Sequence, residues 1–270
     1  MVCQSQDGLA QQSMNHFRHI LIFSGIFLCM SNLLFSQKIF ESYKKRDLAK
    51  FNALLKKNPE FLNDTNYEGS PILHVVTRNS STNFIKACIA NNADVNRKDK
   101  SGITPLMYAA RNGSLINAEL LVTKGSDLRI KDNLGQSVLF YSLENEQVFE
   151  YLVNKGADIN AQDYSGLSVL MHAIDKGYTT IALYLAGKSE ININLKDNYE
   201  RTALFYAVDA LDMRVTQSLI MKGANINDRS NLGFSPLIYA SIHGSLPIAT
   251  YLIENNADIN TLDKIGRAHV

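Results

Sequence analysis

The chain has no tryptophan, and among its 270 residues there are three cysteines, Cys3, Cys29 and Cys88. Three cysteines without a short spacing between them supply neither an even disulfide framework nor a metal-binding pair. Charge of one sign is also scarce. The formal net charge is +1, so the broad basic footprint of a nucleic-acid binder is missing. The one long apolar run, Ile20–Met30, is broken soon after by Asn32, short of the roughly 20 residues a membrane span needs. No G-x-S-x-G, phosphate loop, G-x-G-x-x-G or His-x-x-x-His pattern occurs. His74, His172 and His243 stand far apart in the chain with no flanking carboxylate pattern. These absences lead to the expectation of no enzyme, no cofactor, no metal, no nucleic acid and no small-molecule substrate.

What is present is a repeated unit, and Asp99–Lys131 shows it most fully. Asp99-Lys100-Ser101-Gly102 reads as a turn. Thr104 offers a hydroxyl to the free backbone N–H groups of a helix start, and Pro105 suits the first helical position, where no N–H is needed. Leu106, Ala109 and Ala110 share one face of a short helix. Asn112-Gly113 ends it. Leu115, Ala118, Leu121 and Val122 line a second helix, which Gly125 stops where a left-handed residue is usual. A turn and two short helices cannot close a core alone.

The unit recurs six times, as 66–98, 99–131, 132–162, 163–196, 197–229 and 230–262. Its turn glycine or substitute falls at Gly69, Gly102, Gly135, Gly166, Glu200, Gly233 and Gly266, with spacings of 33, 33, 31, 34, 33 and 33. Leu73, Leu106, Leu139, Leu170, Leu204 and Leu237 make one unbroken column. T-P-L-x-x-A-A, a glycine between helices, and L-L-x-x-K-G-x-D resemble the ankyrin repeat, with its period of about 33 residues. The resemblance covers 39–264 and implies an all-α solenoid of helix-turn-helix units joined by β-hairpin-like turns. It also implies a protein partner held on a concave face. The family's histidine survives at His74 alone; Met107, Phe140, Met171, Phe205 and Ile238 fill its slot elsewhere. The next slot, Tyr108, Tyr141, His172, Tyr206 and Tyr239, reads as half-buried packing rather than a ligand box. The Asp and Asn of the A-D-x-N turns read as side-chain-to-backbone bonding. Glu200, standing where glycine is usual, predicts a strained fifth hairpin.

Outside the repeats, 37–65 resembles an N-terminal capping helix pair with a basic outer face. Residues 1–36 form a signal peptide region, with Met14 as a candidate true start, Arg18 in its n-region, and small Ser36 before a polar segment. That pattern points to an exported bacterial-type protein, periplasmic or secreted. The alternative is an anchor over residues 20–35, the one route by which a membrane would become a partner. Residues 265–270 read as a translated sequencing adapter and are expected to be non-native. The chain then stops inside a seventh unit, so a secreted effector with an activity domain beyond a truncated C-terminus is the alternative function.

The repeats place Tyr67, Ile103, Leu134, Tyr164, Leu167, Tyr199, Leu232, Phe234 and Ile242 at turn tips and on the exposed side of first helices. Turn tips are normally polar, so these residues are the candidate partner-binding face. Lys100, Arg111, Arg201, Glu68, Glu144 and Asp175 rim it. If the signal reading holds, mass spectrometry of the mature chain finds Gln37 first. Recovery of a mature chain that contains Arg18 rejects it.

Overall fold

The structure, a computed structural model, describes residues 37–66 and 68–260. The signal, anchor and adapter-tail expectations, and Tyr67, lie outside these residues. Among the described residues there are helices and no strands, only isolated bridges at Thr65 with Pro71 and Gln162 with Ser168. None of these helices is long and apolar enough to cross a membrane. The chain divides into two compact units. Of the described residues, one holds those up to Val76 with Asn83–Ala93; the other holds Thr77–Thr82 and those from Asp94 onward.

In the first unit, helix α1 covers 37–44 and α2 covers Leu48–Lys57, followed by a single 3-10 turn at Pro59–Leu62. Asp47 starts α2 by accepting from the Lys50 N–H at 2.9 Å, and Lys56 and Lys57 place positive charge beside its free carbonyls. Most of helices α3 (Ile72–Arg78) and α4 (Thr82–Ala90) belong here too, with Thr77, Arg78 and Thr82 counted in the second unit. The Phe84 ring meets Tyr43 and Phe51 edge-on, at 5.0 and 4.9 Å between centroids. Cys88 is fully buried, and burial pushes its thiol far above the ordinary range, so it is an inert core hydrophobe.

The second unit is a helical solenoid. It continues with α5 (Pro105–Arg111), α6 (Leu115–Thr123), α7 (Val138–Tyr141), α8 (Glu146–Asn154), α9 (Val169–Asp175), α10 (Thr179–Ala186), α11 (Ala203–Asp209), α12 (Met213–Met221), α13 (Pro236–Ile242) and α14 (Leu246–Glu254). The first helices start as their residues dictate. Thr104, Ser168 and Ser235 side chains accept from the N–H groups of Met107, Met171 and Ile238, and Pro105 and Pro236 need no N–H there. The column Leu106, Leu139, Leu170, Leu204 and Leu237 is buried, and so are Leu121, Leu152, Leu185, Leu219 and Leu252 of the second helices. The repeat 132–162 is two residues shorter than 99–131 and three shorter than 163–196. The loss comes out of α7, which has four residues; Asn145 then caps α8 by accepting from the Val148 N–H at 3.0 Å.

One edge of the stack is fastened by the asparagines of the A-D-x-N turns, which reach the next repeat as well as their own turn. Asn96 accepts from the Asp127 N–H at 2.7 Å and donates to the Gly125 carbonyl at 3.0 Å. Asn160 bridges in the same way to Asn192 and Glu190, Asn194 to Asn225 and Gly223, and Asn227 to Asp258 and Asn256. Arg129 occupies this position in the repeat 99–131 and pairs with its own Asp127 at 3.1 Å instead.

Within the repeats, several non-glycine residues sit in the left-handed region at positions glycine holds elsewhere, Ser80, Asn92 and Asn256 among them; Glu200 and Leu211 are the two without a short side chain. Glu200 has φ 61° at the hairpin, where Gly102, Gly135 and Gly166 have 79°, 82° and 76°; Leu211 has φ 55° between helices, where Gly113 and Gly177 have 63° and 75°. A left-handed non-glycine costs about 1–2 kcal/mol, and glycine's extra unfolded-state entropy returns part of that. Leu211→Gly and Glu200→Gly are each expected to stabilise by about 0.5–1 kcal/mol, read as a rise of a few °C in the unfolding midpoint. Ala210→Gly, at an ordinary φ of −73°, should lower it; a Leu211→Gly midpoint that falls with it removes the strain account.

Candidate partner-binding face

Four hairpins are built on an aspartate at their first position, where Asn66 and Ser230 stand in the two others. One carboxylate oxygen of Asp99 accepts from the N–H groups of Ser101 and Ile103, at 2.9 and 3.0 Å. Asp132, Asp163 and Asp197 do the same for Leu134 and Gln136, Ser165 and Leu167, and Tyr199 and Arg201. The second oxygen takes a tyrosine hydroxyl from nine residues on: Tyr108 to Asp99 at 2.8 Å, Tyr141 to Asp132 at 2.5 Å and Tyr206 to Asp197 at 2.7 Å. Burial first, and the facing carboxylate next, raise all three phenols above their ordinary range. The tyrosine column therefore bonds its hairpin to its helix as well as packing, and Asp at i with Tyr at i+9 is the signal in the sequence.

Arginines interleave with these rings. The Arg78 guanidinium lies 4.9 Å from the Tyr108 centroid and donates to its hydroxyl at 2.9 Å. Arg111 lies 5.6 Å from Tyr108 and 4.7 Å from Tyr141, so it bridges two repeats. Arg201 stands over both Tyr199 and Tyr206 and pairs with Asp197 at 2.9 Å. Two of the basic rim residues are thus held by aromatic faces, which fixes where their charge sits.

Backbone bonds tie neighbouring tips together. The N–H groups of Asn133, Tyr164, Asn198 and Asn231 donate to the carbonyls of Ser101, Leu134, Ser165 and Tyr199, at 2.8–3.1 Å. Side-chain amides of Asn133 and Asn198 add bonds to Lys100 and Tyr164 carbonyls. On this rail Leu134, Tyr164, Tyr199 and Leu232 are exposed by 64%, 70%, 58% and 59%, and Ile242, at the end of α13, by 54%. A Cβ built on Gly135 would stand 2.7 Å from Tyr164 Cδ1, so that glycine gives the ring its place. Other candidates depart from the expectation. Ile103 is buried and Leu167 half-buried. Phe234 is half-buried with its ring 5.9 Å from Tyr239, which makes it partly structural. Residues just after the turn glycine position, Ile103, Leu167 and Phe234, are buried or half-buried, whereas Leu134, Tyr199 and Leu232 just before it are exposed.

A family model described as Ankyrin repeats (3 copies) matches residues 40–132, 116–197 and 189–263. Among similar proteins is the palmitoyltransferase AKR1 of Lachancea kluyveri, 25% identical over 187 residues, which are 69% of this chain and 22% of that protein. The ankyrin repeat and KH domain-containing protein mask-1 of Caenorhabditis elegans is 24% identical over 198 residues, 72% of this chain and 7% of its own. An ankyrin repeat protein of Acanthamoeba polyphaga mimivirus is 34% identical over 71 residues, 26% of this chain and 44% of its own. The chain thus spans less than a quarter of the length of the first two. The expectation of no enzyme is corrected here: similarity to a protein named as a palmitoyltransferase is a pointer, at 25% identity, toward enzymatic activity.

The repeat 163–196 carries histidine where its neighbours carry the bonded tyrosine. His172 Nε2 lies 3.8 Å from Asp163 Oδ2, too far for a hydrogen bond. Burial lowers its pKa, with the Asp163 charge opposing in part. The fold therefore favours the neutral ring. That contribution is complete above the free value of about 6.5 and is lost as pH falls below it. His172→Tyr is expected to gain about 1 kcal/mol at neutral pH from a new bond to Asp163. It should also lose less stability than the parent between about pH 7 and 5, as followed by thermal unfolding. Parallel pH profiles for the two proteins would refute the role given to His172.

Proposed function

From the premise that the chain belongs to the ankyrin-repeat family, we propose that it is a protein–protein interaction scaffold whose partner docks on the hairpin-tip face of residues 132–242. The observation that carries this reading is the exposed run Leu134, Tyr164, Tyr199 and Leu232 on four consecutive tips joined by backbone bonds. Leu134, Tyr199 and Leu232 hold the same hairpin slot and Tyr164 the slot before it; with neighbouring repeats roughly 10 Å apart, the distance between packed helices, the four exposed side chains on consecutive tips form one strip instead of standing singly. Aromatic residues dominate binding energy because they bring large rigid area at low entropy cost. Export to a periplasm or beyond the cell of a bacterial type belongs to the same proposal and is supported by the pattern of residues 14–36. A second reading has a specific support. The similarity to about a fifth of a protein named as a palmitoyltransferase favours repeats that address a target on behalf of an activity carried elsewhere in a longer protein.

The test uses immobilised full-length protein and capture from a cell extract. Tyr164→Ser and Tyr199→Ser are each expected to lower capture about tenfold, equivalent to a loss of about 1.4 kcal/mol, with the unfolding midpoint unchanged. Ile116→Ser, an exposed position on the second helix α6, should leave capture as it was. Equal loss from all three, or loss that only tracks unfolding, sinks the tip face as the binding site.

A further inference from the structure

We propose that the tip face takes a basic amphipathic polypeptide segment, its apolar side chains on Tyr164 and Tyr199 and its Lys or Arg side chains on Glu144, Asp175 and Asp209. This rests on the scaffold reading and names the partner's chemistry.

The apolar strip defines the site, and the charge beside it selects the occupant. The residue five places after the column leucine stands at or just past the end of each first helix, and in the second unit it runs Arg111, Glu144, Asp175, Asp209 and Ile242. All five are exposed. Three carboxylates therefore stand in a row over the same repeats that carry Leu134, Tyr164 and Tyr199 at their tips. A seven-residue helix such as α9 or α11 separates the two rows by about 10 Å. An extended segment laid between them sends alternate side chains to opposite sides, one set to the aromatic strip and the other to the carboxylates. Arg111, fixed over Tyr108 and Tyr141, bounds the acidic row at one end, so the basic stretch of the occupant covers three repeats.

The position of the acids argues for an external cation. Asp175 and Asp209 are the last residues of α9 and α11. Free carbonyls gather there, and a negative side chain works against the helix dipole. Their present neighbours hold them loosely. Asp175 meets Lys176 at 2.9 Å, Asp209 meets His243 at 2.8 Å, and Glu144 accepts from the Tyr178 hydroxyl at 3.3 Å. Exposed pairs of this kind contribute little, so a segment offering several cations at once displaces them readily.

The experiment is fluorescence anisotropy of the full chain with two labelled peptides of about 12 residues, enough to cross three repeats. One alternates Leu and Lys, the other Leu and Glu. The lysine peptide is expected to bind at least tenfold tighter, and to weaken as salt rises from about 50 to 300 mM. The triple variant Glu144→Gln, Asp175→Asn, Asp209→Asn should lose that preference about tenfold. Its unfolding midpoint should be unchanged or raised, since acids leave helix ends. Equal affinity for both peptides, or an unchanged triple variant, overturns the basic class. If Tyr164→Ser and Tyr199→Ser still abolish binding in that case, the tip face stands as a docking site and the charge assignment alone falls. If neither set matters, both fall. Self-association of the chain that excludes the lysine peptide also overturns the proposal, by giving the face to a second copy.

Discussion

Two helices of four to nine residues cannot bury their own apolar sides, and everything else in this chain answers to that constraint. Each column leucine needs the next repeat to cover it, so stability is carried between repeats rather than within them. That explains why the bonds that matter most join residues about 30 apart. Asn96 shows the pattern: its backbone N–H donates to Asp94 of its own turn, and its side-chain amide bonds the following repeat. Lys98 and Lys131 do likewise, donating to the Lys131 and Gln162 carbonyls at 2.6 and 2.7 Å. Edges whose polar groups are claimed by the adjoining repeat leave little backbone for a foreign strand to pair with. What remains for recognition is the side chains at the tips.

Those tips are stiff because one carboxylate serves two purposes. With one oxygen the hairpin aspartate organises the turn, and with the other it fixes the tyrosine on its own first helix. Tip and helix then move together, and a partner gripping Tyr199 grips a surface that is already ordered; in the Tyr164 hairpin His172 stands too far from Asp163 to make that second bond. Little entropy is lost on docking to such a surface. Arg111 and Arg201, laid on tyrosine faces, are ordered by the same means.

Much of this fold was legible in the residues. The period, the leucine column, Thr104-Pro105 as a helix start and the anomaly at Glu200 all depend on local chemistry that repeats, and repetition multiplies a weak signal. The role of Asn96 and its equivalents was half legible. The residue pattern shows a turn, but a bond to the following repeat depends on how two units pack. Ile103 was misplaced for a related reason. Ile103 follows the turn glycine while Leu134 and Tyr199 precede that position, and although the N–H groups on both sides reach the hairpin carboxylate, only the side chain that follows it is covered. The Asp-to-Tyr pairing nine residues apart was visible and unread, since apolar packing alone accounts for a tyrosine in that slot. The pointer toward enzymatic activity was beyond reach of the repeats altogether: their residues answer to stacking, and the pointer rests on the name of a relative of which this chain spans about a fifth.

Arg129 changes the mechanics of the stack at one place. Beside it the turn edge lacks the amide bridge that fastens its neighbours, while the tip edge stays closed through the Tyr164 N–H on Leu134 and the Lys131 ammonium still reaches Gln162. A joint fastened along one margin and loose along the other bends about the fastened margin. Flexing between 99–131 and 132–162 therefore opens the side away from the hairpins, and the row of tips keeps its spacing while the solenoid changes curvature behind it.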